Sequence, residues 1–133
     1  MNTKSQLVCA WCSIGFAVVF TIGLWPLAQF LPPMSPALSA VEIAAIYREN
    51  TLPIRFGTLI MMFGCALMIP FLAVIATQMK RIEGEHSVLT VAQISGGTIG
   101  VVVFLVATVA WTTAAFRPDR SPELIMLLND FGW

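Results

Sequence analysis

The chain has 133 residues, 58% of them hydrophobic and 11% charged, and its seven basic and seven acidic side chains cancel to a formal net charge of zero. Water-soluble domains carry roughly 25% charged residues, so a soluble core is excluded. With mean hydropathy +0.86 and a pI near 6.5, no basic surface is left to hold nucleic acid.

Residues 7–31, 56–79 and 87–116 contain no Lys, Arg, Asp, Glu or His. An ionised group at mid-bilayer costs at least about 3 kcal/mol, and about 20 apolar residues cross the hydrocarbon core as a helix. The expected fold is therefore all-α and integral to a membrane, a single helical membrane domain over residues 1–133. It is a three-transmembrane-helix bundle with spans at about 7–31, 54–79 and 88–116, a short surface helix at about 40–49 in the first loop and a short C-terminal helix at about 122–131.

The first apolar run is much longer than the roughly 7–15 residues of a signal-peptide core, which makes it a retained helix. Trp11 and Trp25 suit interfacial anchoring, Pro26 interrupts the hydrogen-bond ladder, and Pro32-Pro33 stop the helix. In the following loop, Ser39 and Glu42 have the spacing of a capping box. The helix they start carries Ile43, Ile46, Tyr47 and Asn50 on one face and is expected to stop before Pro53.

The second span has Arg55 at one end and Lys80-Arg81 at the other, with Pro70 near its middle. That proline frees a carbonyl near Ala66, which something else must satisfy. The polar turn over residues 80–87, with Gly84 as its break, makes spans two and three an antiparallel hairpin. Beyond Phe116, Ser121 as N-cap and Pro122 at the first helical position start a helix. Leu124, Leu127, Leu128 and Phe131 form its apolar stripe. Lys80-Arg81 in the shortest loop puts the N-terminus in the cytoplasm by the positive-inside rule.

Several groups invite a chemical reading. Cys9-Ala10-Trp11-Cys12 puts two thiols one turn apart, the spacing of a thiol–disulfide pair. Two small apolar side chains in a span are the plainer alternative. Ala92, Gly96 and Gly100 form a small-residue ladder suited to helix packing, within the bundle as the leading expectation and against another subunit as the second. Gln29 and Gln93 are the most polar groups near the spans. His86 stands alone beside Glu83 and Glu85, and a metal site needs more ligands. The spans hold no His to ligate a tetrapyrrole. Arg117, Asp119, Arg120 and Glu123 form a mixed-charge loop expected to pair with itself in solvent. No catalytic residue, cofactor or metal is predicted.

The segments Phe116-Arg-Pro-Asp-Arg-Ser-Pro-Glu-Leu and Leu128-Asn-Asp-Phe-Gly-Trp133 resemble those of small multi-span bacterial membrane proteins of unassigned activity. The resemblance implies a bacterial inner-membrane location and a chain that continues into further helices, so truncation is one expectation. It supplies no functional residues. The leading functional reading is a non-catalytic accessory or scaffolding subunit. Its partners are the lipid bilayer and other membrane subunits or further copies of itself. The alternatives are a transporter or lipophilic-ligand carrier and, third, a thiol–quinone redox protein using Cys9 and Cys12.

Overall fold

The computed structural model describes residues 3–133, and every regular element among them is helical. α1 (Thr3–Ile22) runs into a π turn (Gly23–Leu27); α2 (Ala40–Glu49), α3 (Thr51–Ala66), α4 (Met68–Glu83), α5 (Val88–Phe116) and α6 (Pro122–Gly132) follow. Three helical stretches are long and apolar enough to cross a membrane: Thr3–Leu27, Thr51–Glu83 and Val88–Phe116.

The first stretch ends at Leu27 rather than at Leu31, and Pro26 explains why. The proline has no N–H for the ladder, and the turn widens around it. The Ala28 amide donates to Gly23 O, five residues back, at 2.9 Å. Gln29 then takes a left-handed conformation, φ 56°, and ends the helix. That region is uncommon for a side chain other than Gly.

α2 is started by the capping box. The Ser39 amide donates to Glu42 Oε2 at 2.7 Å, and the Glu42 amide donates to Ser39 Oγ at 3.4 Å. The Ser39 hydroxyl also donates to Glu42 Oε2 at 2.7 Å, and this bond first, then the one from the Ser39 amide, holds the Glu42 carboxyl below its ordinary range. α2 stops at Glu49, and α3 begins at Thr51 with Pro53 in its first turn, where amides have no helical partner and a missing N–H costs little. The ladder breaks at Leu67, between α3 and α4, as Pro70 requires. The Leu67 amide turns back to Gly64 O at 2.9 Å.

The bent α3–α4 stretch lies between the other two, packing α1 on one side and α5 on the other. The π turn that follows α1 meets α3 at paired glycines, Gly23 and Gly57. A Cβ on Gly57 would lie 2.5 Å from Gly23 O and 2.6 Å from Ala28 N, so only glycine fits this crossing. Phe16 and Phe20 of α1 meet Phe104 of α5 edge-on, with centroids 5.6 and 5.2 Å apart.

Both ends of α5 are tied to the central stretch. Glu83 accepts from the Leu89 and Thr90 amides at 2.8 Å each and from Thr90 Oγ1 at 2.6 Å. At the far end, Arg55 donates to Ala115 O at 3.0 Å and Phe116 O at 2.7 Å, and its guanidinium sits over the Phe116 ring at 5.9 Å. An anion at the N-terminus and a cation at the C-terminus both match the helix dipole. Arg55→Ala is expected to cost about 1–2 kcal/mol, the size of a lost cap. Glu83→Ala is expected to lower the thermal midpoint in detergent more than Glu83→Gln, which keeps an acceptor. Equal midpoints across the four proteins would remove these contacts from the fold's support.

Candidate functional site: the aromatic cap

The residues singled out in the spans lie apart. Cys9 and Cys12 are unbonded and half-buried on α1, while the third thiol, Cys65, is buried in α3. Ala92 and Gly96 are exposed and Gly100 is half-buried. A Cβ at Gly96 or Gly100 would meet nothing within 4 Å. The tight contact on this part of α5 falls at Gly97, against Leu72 of α4. Gln29 is exposed beyond the π turn, and Gln93 is half-buried with an unpartnered Oε1. His86 is exposed in the turn after α4. The described residues contain no cluster of three metal-ligating side chains. Arg48, not a neighbour within the loop, reaches the mixed-charge segment, with Nε donating to Pro118 O at 2.9 Å.

Hydroxyls inside the long helices turn back on their own backbone. Thr58 Oγ1 donates to Ile54 O at 2.9 Å, Thr98 Oγ1 to Ile94 O at 2.7 Å, and Thr108 Oγ1 to Leu105 O at 2.8 Å. Such bonds satisfy a polar group without offering it to a ligand.

Polar and aromatic groups converge instead at one end of the bundle, where α2, α6 and the segment after the π turn close over α3 and α5. α6 packs on α2 and α5. Its buried residues are Ile125 and Asn129, whereas Leu124, Leu127 and Phe131, three of the four stripe positions, are exposed. The stripe therefore faces outward, because a polar anchor sets the rotation of α6. Asn129 is 3% exposed. Its Oδ1 accepts from the Tyr47 hydroxyl at 3.1 Å and its carbonyl accepts from Trp111 Nε1 at 3.4 Å. A buried amide with these partners is worth more than another leucine, since leaving it unpaired costs about 1–3 kcal/mol.

Around this anchor the rings meet edge-on or tilted. Phe30 lies 5.0 Å from Trp111, 6.1 Å from Tyr47 and 6.2 Å from Trp133, and Trp111 lies 5.2 Å from Trp133. Gly132 ends α6 against the Trp111 indole, with no space for a side chain. Phe30 and Tyr47 are fully buried, whereas Trp133 is half exposed. Between the segment over residues 33–38, α2 and α6 lies a cavity of about 310 Å³ bordered by Asn129, Asp130 and Trp133.

The sequence reading missed Asn129 and Trp111 as partners. The available signal was an asparagine four residues after Ile125 in an apolar helix, in a chain with a single tyrosine. Comparison with family models, curated proteins and solved structures finds no match.

Burial, and then the nearby Asp130 charge, push the Tyr47 phenol above its ordinary range. Its proton is held more tightly in the folded state than in the unfolded one. The stabilisation is therefore whole below about pH 10 and is lost as pH rises beyond it. Since Tyr47 is the only tyrosine, phenolate absorbance reports this site alone. The phenol is expected to ionise above the free-tyrosine range, together with loss of the cap. Asn129→Ala is expected to lower that midpoint and to destabilise by about 1–3 kcal/mol. A phenol that titrates as free tyrosine would show that the cap is open in solution.

Proposed function

We propose that this chain is a non-catalytic integral membrane protein, an accessory or scaffolding subunit that contacts other transmembrane helices or lipids. The observation that carries the reading is the uncovered ladder at Ala92, Gly96 and Gly100. Beside it, α4 already occupies the neighbouring position, Gly97. Small side chains let two helix backbones approach, and dispersion then holds them. The hydroxyls of Thr58, Thr98 and Thr108 are spent within their own helices, which suits packing more than transport. Ion-driven transporters carry ionisable groups inside the membrane.

A second reading, a carrier of lipophilic ligands, has one observation in its favour. A cavity of about 290 Å³ lies between α4 and α5, lined by groups such as Leu72, Ile94 and Val101. Its walls fit an acyl chain and offer little polar specificity.

Native mass spectrometry of the chain extracted in nanodiscs tests the scaffold. The chain is expected to carry a second helical protein or a second copy. Gly96→Leu is expected to cut that association by about tenfold without lowering the thermal midpoint, because a Cβ at this position would meet nothing within 4 Å. A lone monomer unaffected by the substitution would overturn the reading. The proposed orientation keeps the start of α1 and the Gly84 turn in the cytoplasm, with the cap on the opposite side. A reporter fused at Gly84 is expected to read cytoplasmic, and the opposite result would invert the topology.

A further inference from the structure

Two arginines from separate helices converge on the segment that ends α5. Arg48, in the last turn of α2, donates from Nε to Pro118 O at 2.9 Å. Arg55 of α3 donates to Ala115 O and Phe116 O at 3.0 and 2.7 Å. Arg117 lies between these carbonyls in the chain, and its side chain is exposed. A guanidinium has five N–H donors and does not lose its charge in a protein. Arg48 and Arg55 use only some of theirs, and every acceptor is a neutral carbonyl. Glu49, Asp119 and Glu123 are near in sequence and exposed. Among the described residues, none of these carboxylates accepts from either guanidinium. The terminus of α5 supplies only about half a negative charge to set against three cations.

These cations stand where charge resumes at the end of the apolar stretches. Phe116, the last residue of α5, is 62% exposed, and Arg55 lies over its ring at 5.9 Å. Leu52 and Phe56, which flank Arg55 in α3, are each 61% exposed. Apolar side chains beside charged guanidiniums match the boundary between acyl chains and headgroups. Consecutive Cα atoms are about 3.8 Å apart, so the carbonyls of residues 115–118 hold Arg48 and Arg55 over one short stretch of backbone. A phosphate has several charged oxygens and accepts from more than one guanidinium at once, in the forked geometry that arginine favours. A cation would be repelled here, and an uncharged group would leave the guanidiniums without a counter-charge.

We propose that Arg48, Arg55 and Arg117 bind the phosphate of a phospholipid headgroup, whose acyl chains lie over Phe116, Leu52 and Phe56. A soluble phosphate ester offers the same oxygens, but it has no use for the exposed apolar groups around them. The site rests on the proposed function only for its place in a membrane. It deepens the lipid contact of that reading and is independent of a partner helix at Gly96, which lies about 30 Å along α5 from Phe116.

The test uses the purified, delipidated chain in detergent, with native mass spectrometry and calorimetry as readouts. The probes are phosphatidylglycerol, diacylglycerol of the same chains as the phosphate-free control, and glycerol phosphate as the chain-free control. Phosphatidylglycerol is expected to bind, more weakly as salt rises, and diacylglycerol is not. Arg48→Gln and Arg117→Gln are each expected to weaken binding by about fivefold. Lys80→Gln combined with Arg81→Gln, at the opposite end of the bundle, is expected to leave it unchanged. Gly96→Leu is also expected to leave it unchanged, so loss of a helix partner and loss of this site are read separately. The Tyr47 phenolate titration verifies an intact cap in every variant, and should Arg48→Gln disturb the cap, Arg117→Gln decides. Equal binding of diacylglycerol, unchanged affinity in the arginine variants with an intact cap, or an equal loss in the Lys80 and Arg81 variant would overturn the proposal. Glycerol phosphate is expected to bind far more weakly than the lipid, and equal affinity would overturn the lipid assignment in favour of a soluble phosphate.

Discussion

The charge-matched clamp on α5 is the constraint from which the rest of the arrangement follows. An isolated helix leaves four amides and four carbonyls unpaired at its ends. In α5, whose 29 residues carry no formal charge, the helix itself supplies no ion to cover them. Glu83 and Arg55, from the two ends of one bent stretch, cover part of each set. Two attachments so far apart fix the antiparallel register of this pair as well as its contact. The π turn that ends the first stretch is then positioned on α3 by the Gly23–Gly57 crossing. The Arg55 end becomes the fixed floor on which α2 and α6 close. Ile54, the neighbour of Arg55, and Ala115, whose carbonyl Arg55 holds, are both fully buried in the core that includes Tyr47 and Trp111.

What was legible in the sequence was local. The Ser39–Glu42 box needs only a spacing of three. The break near Ala66 needs only the missing amide of Pro70. The charge-free runs announce the long helices because the cost of a buried ion is independent of tertiary detail. What was illegible joins distant residues. Arg55 looks like any terminal arginine able to snorkel, and its carbonyl partners lie 60 and 61 positions away. Glu83 is close to its amides in sequence, yet its role depends on the shape of the turn. The apolar stripe of α6 was a fair reading of period, but the helix has two faces capable of burial. Hydrogen bonds from Tyr47 and Trp111, 82 and 18 residues from Asn129, decide between them. The open side of the Ala92–Gly100 ladder likewise depends on where α4 lies, and no spacing states that.

The chain sorts its chemistry by depth. Inside the long helices, threonines return their hydroxyls to the backbone, and small and apolar groups meet neighbours by shape. At the two ends, charge reappears and does directional work: a carboxylate on amides at one end, a guanidinium on carbonyls at the other. The cap adds a third kind of contact, a buried neutral network of tyrosine, asparagine and tryptophan. Such networks favour one arrangement because a rotated α6 would leave Asn129 unpaired at low dielectric. The cap is thus held by specificity more than by area.

The two surfaces left over by this arrangement lie at different depths. From Gly96 to Phe116 is twenty residues of continuous helix, about 30 Å at 1.5 Å per residue, close to the thickness of the hydrocarbon core. The small-residue ladder therefore belongs to the half of α5 next to Glu83, and the acid-lined cavity to the opposite end. Because α5 is held at both ends and packed by Leu72 of α4 at Gly97, it is built to keep one position relative to both surfaces.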